Sequence, residues 1–320
     1  MSGKKVVIAG GSGLLGRRLK RVLLEQGVAV VVLSRKPQPS KEAGYREVAW
    51  TGYDQSAWHQ ELDGADVLIN LTGKNVNCRY TPENRQAILD SRLQPIRQLT
   101  VAMQRATNPP ALWIQAAGIS IYGDAGNRFC DEDSEITQTQ RRTLQHEVFL
   151  PDVCQQWEAA FDGADLPGTR KVLLRISSVL APEAGALRLL TPLTRWGLGG
   201  CILPGTQYMS WIHIEDWVRC ILWLIRTQDA SGIYNMTAPH PVTNREFMQT
   251  LRATLQRPWS PPVPVAALQL GCYFMQTEPV LAQASIRAIP QRLQRAGFSF
   301  RYPELPDALH HLYPTKGTPT

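Results

Sequence analysis

The feature that most constrains the fold is an apolar run near the N-terminus that ends in a cluster of glycines, Val6-Val7-Ile8-Ala9-Gly10-Gly11-Ser12-Gly13-Leu14-Leu15-Gly16. An amphipathic helical pattern follows at once. In a dinucleotide-binding turn, the first of three spaced glycines permits the tight turn, the second lets backbone approach the pyrophosphate, and the third lets the helix pack against the strand. The helix N-terminus adds unpaired N–H groups and the positive end of a dipole. The spacing of Gly10, Gly13 and Gly16 therefore predicts a dinucleotide site, with an ordinary glycine-rich turn as the alternative.

The next apolar run, residues 28–33, has the composition of a strand buried on both faces of a parallel sheet. It ends in Ser34-Arg35-Lys36, and no acidic residue occurs between Val28 and Lys41. A fold of this kind that prefers NAD places Asp or Glu at the end of this strand to bind the ribose hydroxyls. A guanidinium suits a 2′-phosphate instead. The sequence therefore predicts NADP(H) as the cofactor, and a plain basic loop is the alternative.

Strand and helix patterns alternate along the chain. Apolar stretches predict strands at residues 47–50, 66–73, 112–117 and 171–176, and helical patterns fill residues 54–62 and 153–161. A further helix has a clear start, with Thr81 as N-cap, Pro82 in the first turn and Glu83 beside the positive dipole end. This alternation predicts an α/β fold built on a doubly wound parallel sheet.

Composition narrows the partners and the compartment. The formal net charge is +7, but the basic residues are scattered, so we expect no nucleic-acid partner. The six cysteines show no CxxC spacing, which predicts neither a disulfide framework nor a metal site. The N-terminal residues contain no signal-peptide pattern, and the apolar run at residues 220–225 is too short to cross a bilayer. We expect a cytoplasmic protein with no membrane partner.

Several motifs taken together resemble a known family. With the opening turn, they resemble extended short-chain dehydrogenase/reductases and, within them, the atypical NADP-binding family of epimerase family proteins, which are similar to sugar-nucleotide epimerases. The motifs are Leu71-Thr72-Gly73, Asp90-Ser91-Arg92, Ile121-Tyr122-Gly123-Asp124, Val153-Cys154-Gln155-Gln156-Trp157-Glu158, Leu174-Arg175-Ile176-Ser177-Ser178-Val179-Leu180, Gly197-Leu198-Gly199-Gly200, Ser210-Trp211-Ile212-His213-Ile214-Glu215-Asp216 and Pro241-Val242-Thr243-Asn244. The resemblance runs from about residue 5 to about residue 309.

The resemblance implies a domain organisation. Residues 1–178 form an NADP-binding Rossmann domain, and residues 179–312 mainly form a smaller C-terminal lobe that closes a substrate cleft. The chain is expected to cross back to the first domain near residues 211–236. Residues 313–320 are expected to be a loose tail.

The resemblance also implies cofactor contacts, residue by residue. The pyrophosphate is expected to meet the glycine-rich turn at Gly10, Ser12, Gly13, Leu14, Leu15 and Gly16. The 2′-phosphate is expected to meet Ser34 and Arg35, with Lys36 nearby. The remaining contacts are expected from Leu71, Thr72, Gly73, Arg92 and Val179. For Arg92, an ion pair on the helix surface is the alternative.

The usual catalytic pair of the superfamily is missing. Ordinary members use Tyr-x-x-x-Lys, in which the tyrosine moves the proton and the lysine lowers its pKa. No tyrosine of this chain has a lysine four residues later. Aligning Trp157-Glu158 with the usual helix places Leu150 at the tyrosine position and Cys154 at the lysine position. The serine that the family commonly keeps five residues before the turn tyrosine is Ala117 here. We therefore expect slow or absent reduction of ordinary ketones.

The remaining catalytic candidates are Ser120 and Tyr122, which follow the C-terminal end of a strand, where open α/β sheets place ligands. Tyr122 is equally a candidate for packing against the nicotinamide or the substrate. Asn75, Trp211 and His213 are candidates for lining the substrate pocket, and a structural histidine is the alternative for His213.

Two classes of function follow. The first is an NADP-dependent oxidoreductase or epimerase acting on a small hydroxylated substrate, with a nucleotide sugar as one example. The second is a non-catalytic sensor or scaffold that binds NADP(H). The C-terminal lobe favours the enzyme and the missing Tyr-Lys pair favours the sensor; of the two we favour the enzyme. A homo-oligomer is left open.

Overall fold

The computed structural model describes residues 1–53, 57–136 and 145–314. The strands in chain order are β1 (Lys5–Ala9), β2 (Ala29–Ser34), β3 (Tyr45–Ala49), β4 (Val67–Asn70), β5 (Leu112–Gly118), β6 (Phe129–Cys130), β7 (Arg170–Ile176), β8 (Ser178–Leu180), β9 (Tyr208–Met209), β10 (Trp211–His213), β11 (Gly232–Met236), β12 (Val242–Thr243) and β13 (Arg287–Ala288). The helices are α1 (Leu14–Glu25), α2 (Pro82–Arg105), α3 (Gln145–Asp162), α4 (Gly185–Arg195), α5 (Ile214–Arg226), α6 (Asn244–Thr254), α7 (Val265–Phe274), α8 (Val280–Gln283), α9 (Gln291–Arg295) and α10 (Leu305–Leu312).

The described residues form a parallel sheet of seven strands in the order β11-β7-β5-β4-β1-β2-β3. Alternate side chains of β1 belong to two different apolar clusters. Val6 and Ile8 pack on the side of α1 and α5, whereas Val7 and Ala9 pack on the side of α2 and α3. Helices therefore cover both faces of the sheet, which confirms the predicted doubly wound α/β fold and explains the continuous apolar runs of the strands.

Helix α2 begins where the sequence predicts. The side chain of Thr81 accepts a hydrogen bond from the backbone N–H of Asn84, and Pro82 occupies the first turn. Other boundaries differ from the predictions. The third strand covers Tyr45–Ala49, and the helix predicted at 54–62 is a 3-10 helix at Ala57–Glu61, with residues 54–56 outside the described part of the chain.

The chain returns to the main sheet after β10. Strand β11 pairs with β7 in parallel, and α5 contacts α1 through the cluster on that side of the sheet. A second core, between α4, α6 and α10, contains Trp211, Phe247 and Leu309. Tyr313 packs against this core and forms a hydrogen bond with Thr191. The prediction that a loose tail begins at residue 313 is therefore wrong at Tyr313, and residues 315–320 lie outside the described range.

None of the described helices combines the length and the apolar character that a membrane-crossing helix needs.

Candidate cofactor and active site

The glycine-rich turn joins β1 to α1, and two of its glycines lie too close to neighbouring backbone to carry a side chain. Gly10 has a φ of +75°, which favours glycine, and a Cβ added there would lie 3.0 Å from the backbone nitrogen of Thr72. A Cβ added at Gly16 would lie 2.3 Å from the carbonyl oxygen of Gly11. Gly10 and Gly16 are therefore required by the contacts of the protein with itself, as expected for the first and third glycines.

Gly13 has a different role in the turn. It is the N-cap of α1, and the nearest protein atom to a Cβ added there would be the carbonyl oxygen of Gly10 at 3.9 Å. The N–H of Arg17 bonds the carbonyl of Gly13, so the first helical N–H groups, at Leu14, Leu15 and Gly16, point outward from the N-terminus. The first turn contains no acidic side chain. This geometry leaves space and donors for an anion at Gly13.

The end of β2 carries the predicted 2′-phosphate residues. Ser34 is buried, and its Oγ accepts a hydrogen bond from the N–H of Lys36 at 3.3 Å. The side chains of Arg35 and Lys36 are exposed, and neither forms an ion pair with the described part of the chain. Two cations thus follow a serine hydroxyl at the carboxyl edge of the sheet, next to the glycine-rich turn.

The end of β4 is held by a buried amide pair that sequence reasoning missed. The Oδ1 of Asn70 accepts hydrogen bonds from the N–H of Thr72 at 3.1 Å and from its hydroxyl at 2.7 Å. The Nδ2 of Asn70 donates to the Oε1 of Gln115 on β5 at 2.9 Å. The signal in the sequence is a polar residue near the end of each of two apolar strands. The pair fixes the backbone of Leu71, Thr72 and Gly73.

A cavity of about 290 Å³ opens between the ends of β4 and β5 and the helices α2 and α3. Six of the predicted site residues line it together with residues from α3 and the neighbouring strands. The lining residues are Leu15, Leu71, Thr72, Gly73, Val76, Arg92, Ala116, Ala117, Gly118, Ser120, Leu150, Val153, Cys154, Trp157 and Ile176. The structure therefore connects the first turn of α1 with the positions where the superfamily keeps its catalytic pair.

Arg92 is the charged side chain of this cavity, and it is only 8% exposed. Its Nη1 donates to the carbonyls of Lys74 at 3.2 Å and Ile88 at 2.9 Å and to the hydroxyl of Ser91 at 3.3 Å. Its guanidinium lies 4.9 Å from the ring centre of Trp157. Burial lowers the pKa of Arg92, against the opposing influence of Cys154.

No carboxylate of the described residues pairs with Arg92, so the helix-surface ion pair considered as an alternative is not present there. The Nε and Nη2 groups form no hydrogen bond within the same residues, although a guanidinium carries five donors. A buried cation with spare donors is costly without an anion. Arg92 is therefore arranged to receive a negatively charged or strongly polar group of a ligand.

The positions of the usual Tyr-Lys pair form an apolar wall. Leu150 and Cys154 both line the cavity. Burial raises the pKa of the Cys154 thiol to about 12, although Arg92 acts in the opposite direction. A Cβ added at Gly118 would lie 3.0 Å from the Sγ of Cys154, so this strand end and α3 approach closely. Ser120 contributes a hydroxyl to the same end of the cavity.

Tyr122 does not reach this cavity. Its hydroxyl lies 2.7 Å from the carbonyl of Asp131 and 2.9 Å from the Oδ1 of Asn235, and it accepts a hydrogen bond from Nη1 of Arg175 at 2.9 Å. Burial raises its pKa to about 12, against the influence of Arg175. Arg175 in turn holds both carboxylate oxygens of Glu158 at 2.9 Å. The structure thus gives Tyr122 a buried structural network in place of the predicted catalytic or substrate contact.

The other predicted substrate residues are also absent from the lining of the cavity. The buried indole of Trp211 donates to the carbonyl of His240 at 3.1 Å. Asn75 is exposed beside Val76, and its side chain accepts from the N–H of Asn77. Val179, predicted as a cofactor contact, lies in β8 opposite Ile212 and packs against the main core.

His213 is a helix cap, which agrees with its structural alternative. Its Nδ1 accepts a hydrogen bond from the N–H of Glu215 at 3.0 Å at the start of α5. Its ring is fully buried and stacks at 4.1 Å on Tyr302. Burial, aided by His311 and Arg301, lowers the pKa of His213 to about 3.

His213, Glu215 and His311 lie close enough to one another to hold a metal ion. The Nδ1 of His213 is already an acceptor, so its Nε2 carries the proton and faces the Nδ1 of His311 at 3.2 Å. The Nε2 of His311 faces the carboxylate of Glu215 at 3.6 Å. A metal-bound histidine uses the opposite arrangement, with its second nitrogen donating. The three residues therefore form a closed loop of polar contacts.

Comparison with known proteins places these features in a family context. A family model described as NAD dependent epimerase/dehydratase family matches residues 6–237, and one described as Domain of unknown function (DUF1731) matches residues 263–312. The chain is 33% identical over 313 residues to "Epimerase family protein YfhF" of Bacillus subtilis (strain 168), spanning 98% of this chain and 99% of that protein. It is 34% identical over 307 residues to "Epimerase family protein ML0860" of Mycobacterium leprae (strain TN), spanning 96% and 94%.

Solved structures show the same fold. The human epimerase family protein SDR39U1 (isoform2), solved with NADPH, has a TM-score of 0.82 and 30% identity, covering 97% of this chain and 99% of that chain. MoeE5 in complex with UDP-glucuronic acid and NAD has a TM-score of 0.70 over 95% of this chain and 96% of its own. At 19% identity, the second likeness shows the fold alone.

Proposed function

This chain belongs to the NAD dependent epimerase/dehydratase family, and on that premise we propose that it binds NADPH along the cavity and acts as an oxidoreductase or epimerase on a small substrate. The resemblance to epimerase family proteins predicted from the sequence is confirmed. In the proposal, residues 1–178 hold the cofactor and residues 179–312 supply most of the substrate side. The observation that carries it is Arg92, a buried cation with spare donors in a cavity that begins at the glycine-rich turn.

The residues of this structure fit NADPH in three places. Gly13 leaves open space at the N-terminus of α1, which suits a pyrophosphate. Ser34, Arg35 and Lys36 offer a hydroxyl and two exposed cations, which suit a 2′-phosphate. Arg92 offers free donors at the wall of the cavity. The human relative solved with NADPH supports the same choice of cofactor.

NADPH, when bound, supplies a hydride. The chain supplies binding, orientation and exclusion of water. Asn70 and Gln115 fix the strand ends on which the cofactor is proposed to lie. Leu150, Val153 and Trp157 make the wall of the reacting end apolar. With Leu150 and Cys154 in place of tyrosine and lysine, the protein holds Ser120 as the hydroxyl at that end.

A second candidate is a protein that binds NADPH without turnover. The observation that favours it is the same apolar wall, because neither Leu150 nor the neutral Cys154 thiol acts as a tyrosine–lysine pair does. Such a protein reports the NADPH level through its conformation or its contacts.

The test has two stages. NADPH and NADH are first titrated into the purified protein and the dissociation constants are compared; absence of NADPH binding contradicts both candidates. The protein with NADPH is then incubated with a panel of carbonyl compounds and nucleotide sugars, with product identification. Formation of a reduced or epimerised product supports the enzyme, and binding without product across the panel supports the sensor.

A further inference from the structure

The reacting end of the cavity has no ionisable acid of the ordinary kind. Among the described residues that line the cavity, Arg92 is the only one that carries a charge. Cys154 is a neutral thiol, and the other side chains around it, such as Leu150, Val153 and Ala117, are apolar. A substrate that reacts here must therefore tolerate the absence of a protein proton donor matched to neutral pH.

A second observation comes from residues 258–277, which we call the rim because the end of this segment contacts the loop at residues 77–79 beside the cavity. From Pro258 to Thr277 the chain contains no charged residue. Within it, α7 exposes large apolar side chains, with Leu270 at 59%, Tyr273 at 59% and Phe274 at 74%. A contiguous patch of exposed apolar side chains marks an interaction surface or the border of a ligand-binding groove.

The segment that carries this surface forms hydrogen bonds with the loop at residues 77–80, beside the cavity. The hydroxyl of Thr277 donates to the Oδ1 of Asn77, and the carboxylate of Glu278 accepts from the N–H of Tyr80 at 2.9 Å. Val280 packs in one cluster with Val76, Leu150 and Val153, all of which line the cavity. The end of α7 therefore lies beside the cavity wall.

The rim offers little to a diphosphate. Of the cations on the adjoining loop, Arg79 lies 3.8 Å from Glu278 and 5.5 Å from the ring centre of Tyr273, and Lys74 donates to the Oδ1 of Asn84 at 2.7 Å, so both already have partners. A nucleotide sugar carries two negative charges on its diphosphate, and such groups are normally held by free cations or helix N-termini. The rim suits an apolar substrate better than a nucleotide sugar.

Because the cavity has no protein acid, the group that accepts the hydride must form a weakly basic anion. Reduction of a simple ketone leaves an alkoxide, which is about as basic as hydroxide, whose conjugate acid has a pKa of about 15.7. Reduction of a quinone leaves a phenolate-type anion, and phenols such as tyrosine have a pKa of about 10. The second anion is weaker as a base by a factor of about 10⁵–10⁶, so it forms without a protein acid.

We propose that the substrate is an apolar quinone, which approaches past the uncharged surface of α7 and reacts against the apolar wall at Leu150. This proposal rests on the proposed NADPH-dependent function and names its substrate class. The reaction balances as quinone plus NADPH plus one proton giving hydroquinone plus NADP⁺. The hydride carries both electrons to the quinone, and water supplies the proton that completes the hydroquinone.

The experiment uses the full chain and 2-methyl-1,4-naphthoquinone as the probe. Binding is measured by calorimetry on the protein saturated with NADP⁺, and turnover by the loss of NADPH absorbance. Cyclohexanone and UDP-glucose are run beside it. The quinone is expected to bind and be reduced, at a rate that stays flat between about pH 6 and pH 9 because no protein acid titrates. Cyclohexanone and UDP-glucose are expected to stay unchanged.

A pair of variants locates the site. Leu150→Glu places a carboxylate in the cavity and is expected to weaken quinone binding by at least about tenfold. Leu189→Glu makes the same change on the exposed surface of α4 and is expected to leave quinone binding unaltered. Both variants are checked by circular dichroism, which shows whether they are folded, and are titrated with NADPH, which shows whether they still bind the cofactor. If Leu150→Glu loses NADPH binding, Val153→Thr replaces it as the cavity variant.

The outcomes separate the two levels of the proposal. Failure of the native protein to bind NADPH contradicts the proposed function itself. Retained NADPH binding with no quinone binding overturns only the quinone assignment, as does conversion of UDP-glucose. Equal loss of quinone binding in both glutamate variants also overturns it, because the site then lies away from Leu150.

Discussion

Replacing Tyr122 by phenylalanine separates a structural hydroxyl from a catalytic one. The substitution keeps the buried ring and removes only the oxygen, which accepts from Arg175 and donates to one of two carbonyl oxygens, those of Asp131 and Asn235. The change leaves a charged donor and a neutral acceptor unpaired in a buried place. Each such group costs about 1–3 kcal/mol. We therefore expect the free energy of unfolding to fall by about 2–6 kcal/mol and, for a chain of 320 residues, the Tm by roughly 3–9 °C.

The same structure predicts little effect on the site. Because Tyr122 does not line the cavity, the dissociation constant for NADPH and the rate with any substrate are expected to stay within about a factor of two. Denaturant unfolding, NADPH titration and an initial-rate assay measure the three quantities. Tyr53→Phe is the matched control, since that ring is 57% exposed and its hydroxyl forms no hydrogen bond with the described residues, so its stability is expected to be unaltered.

The opposite pattern refutes this reasoning. Loss of a positioned general acid costs about 10²–10⁴-fold in rate. If Tyr122→Phe loses rate on that scale while its stability matches that of Tyr53→Phe, the hydroxyl is the acid, and the buried network describes only a resting arrangement.

Three further predictions concern the turn, the cofactor and acid stability. Arg35→Ala is expected to remove most of a preference for NADPH over NADH of about 10- to 100-fold, measured as dissociation constants; equal constants in the native protein contradict it. Gly13→Val is expected to abolish NADPH binding with an unchanged circular dichroism spectrum, because the protein itself leaves space there, and retained affinity places the phosphates elsewhere. The lowered pKa of His213 means that the unfolded chain binds a proton that the folded chain refuses between about pH 6.5 and pH 3. As the pH drops through that range, the free energy of unfolding is therefore expected to decrease by up to about 1.4 kcal/mol per pH unit. Denaturant unfolding of His213→Asn, which keeps a capping acceptor, is expected to show a smaller decrease.

The sequence predicted those features whose interacting residues are close together in the chain. The glycine-rich turn, the cap at Thr81 and the apolar strands are local patterns, and the structure has them where they were expected. The strand predicted at 66–73 is shorter, at Val67–Asn70, because the side chain of Asn70 bonds Thr72 and turns the backbone away.

Contacts between distant residues were not accessible in the same way. Tyr122 bonds side chains 53 and 113 positions away, at Arg175 and Asn235, so its sequence neighbourhood gave no sign of a buried network. His213 could be interpreted better, because the acceptor role at the start of a helix is local and the acidic residues after it were visible. The apolar wall at Leu150 and Cys154 was predicted only through the family resemblance, and the cavity places both residues on one surface.

The loop of contacts between His213, Glu215 and His311 has a consequence for how such chains vary. It starts at the backbone N–H of Glu215, passes through both rings and returns to the carboxylate of the same residue. Replacing any one partner by a residue without a matching polar group leaves the next nitrogen without its contact. His311 lies 98 positions after His213 in the sequence. The three positions are therefore expected to change together in evolution, and covariation between them would mark relatives whose last helix is anchored in the same way.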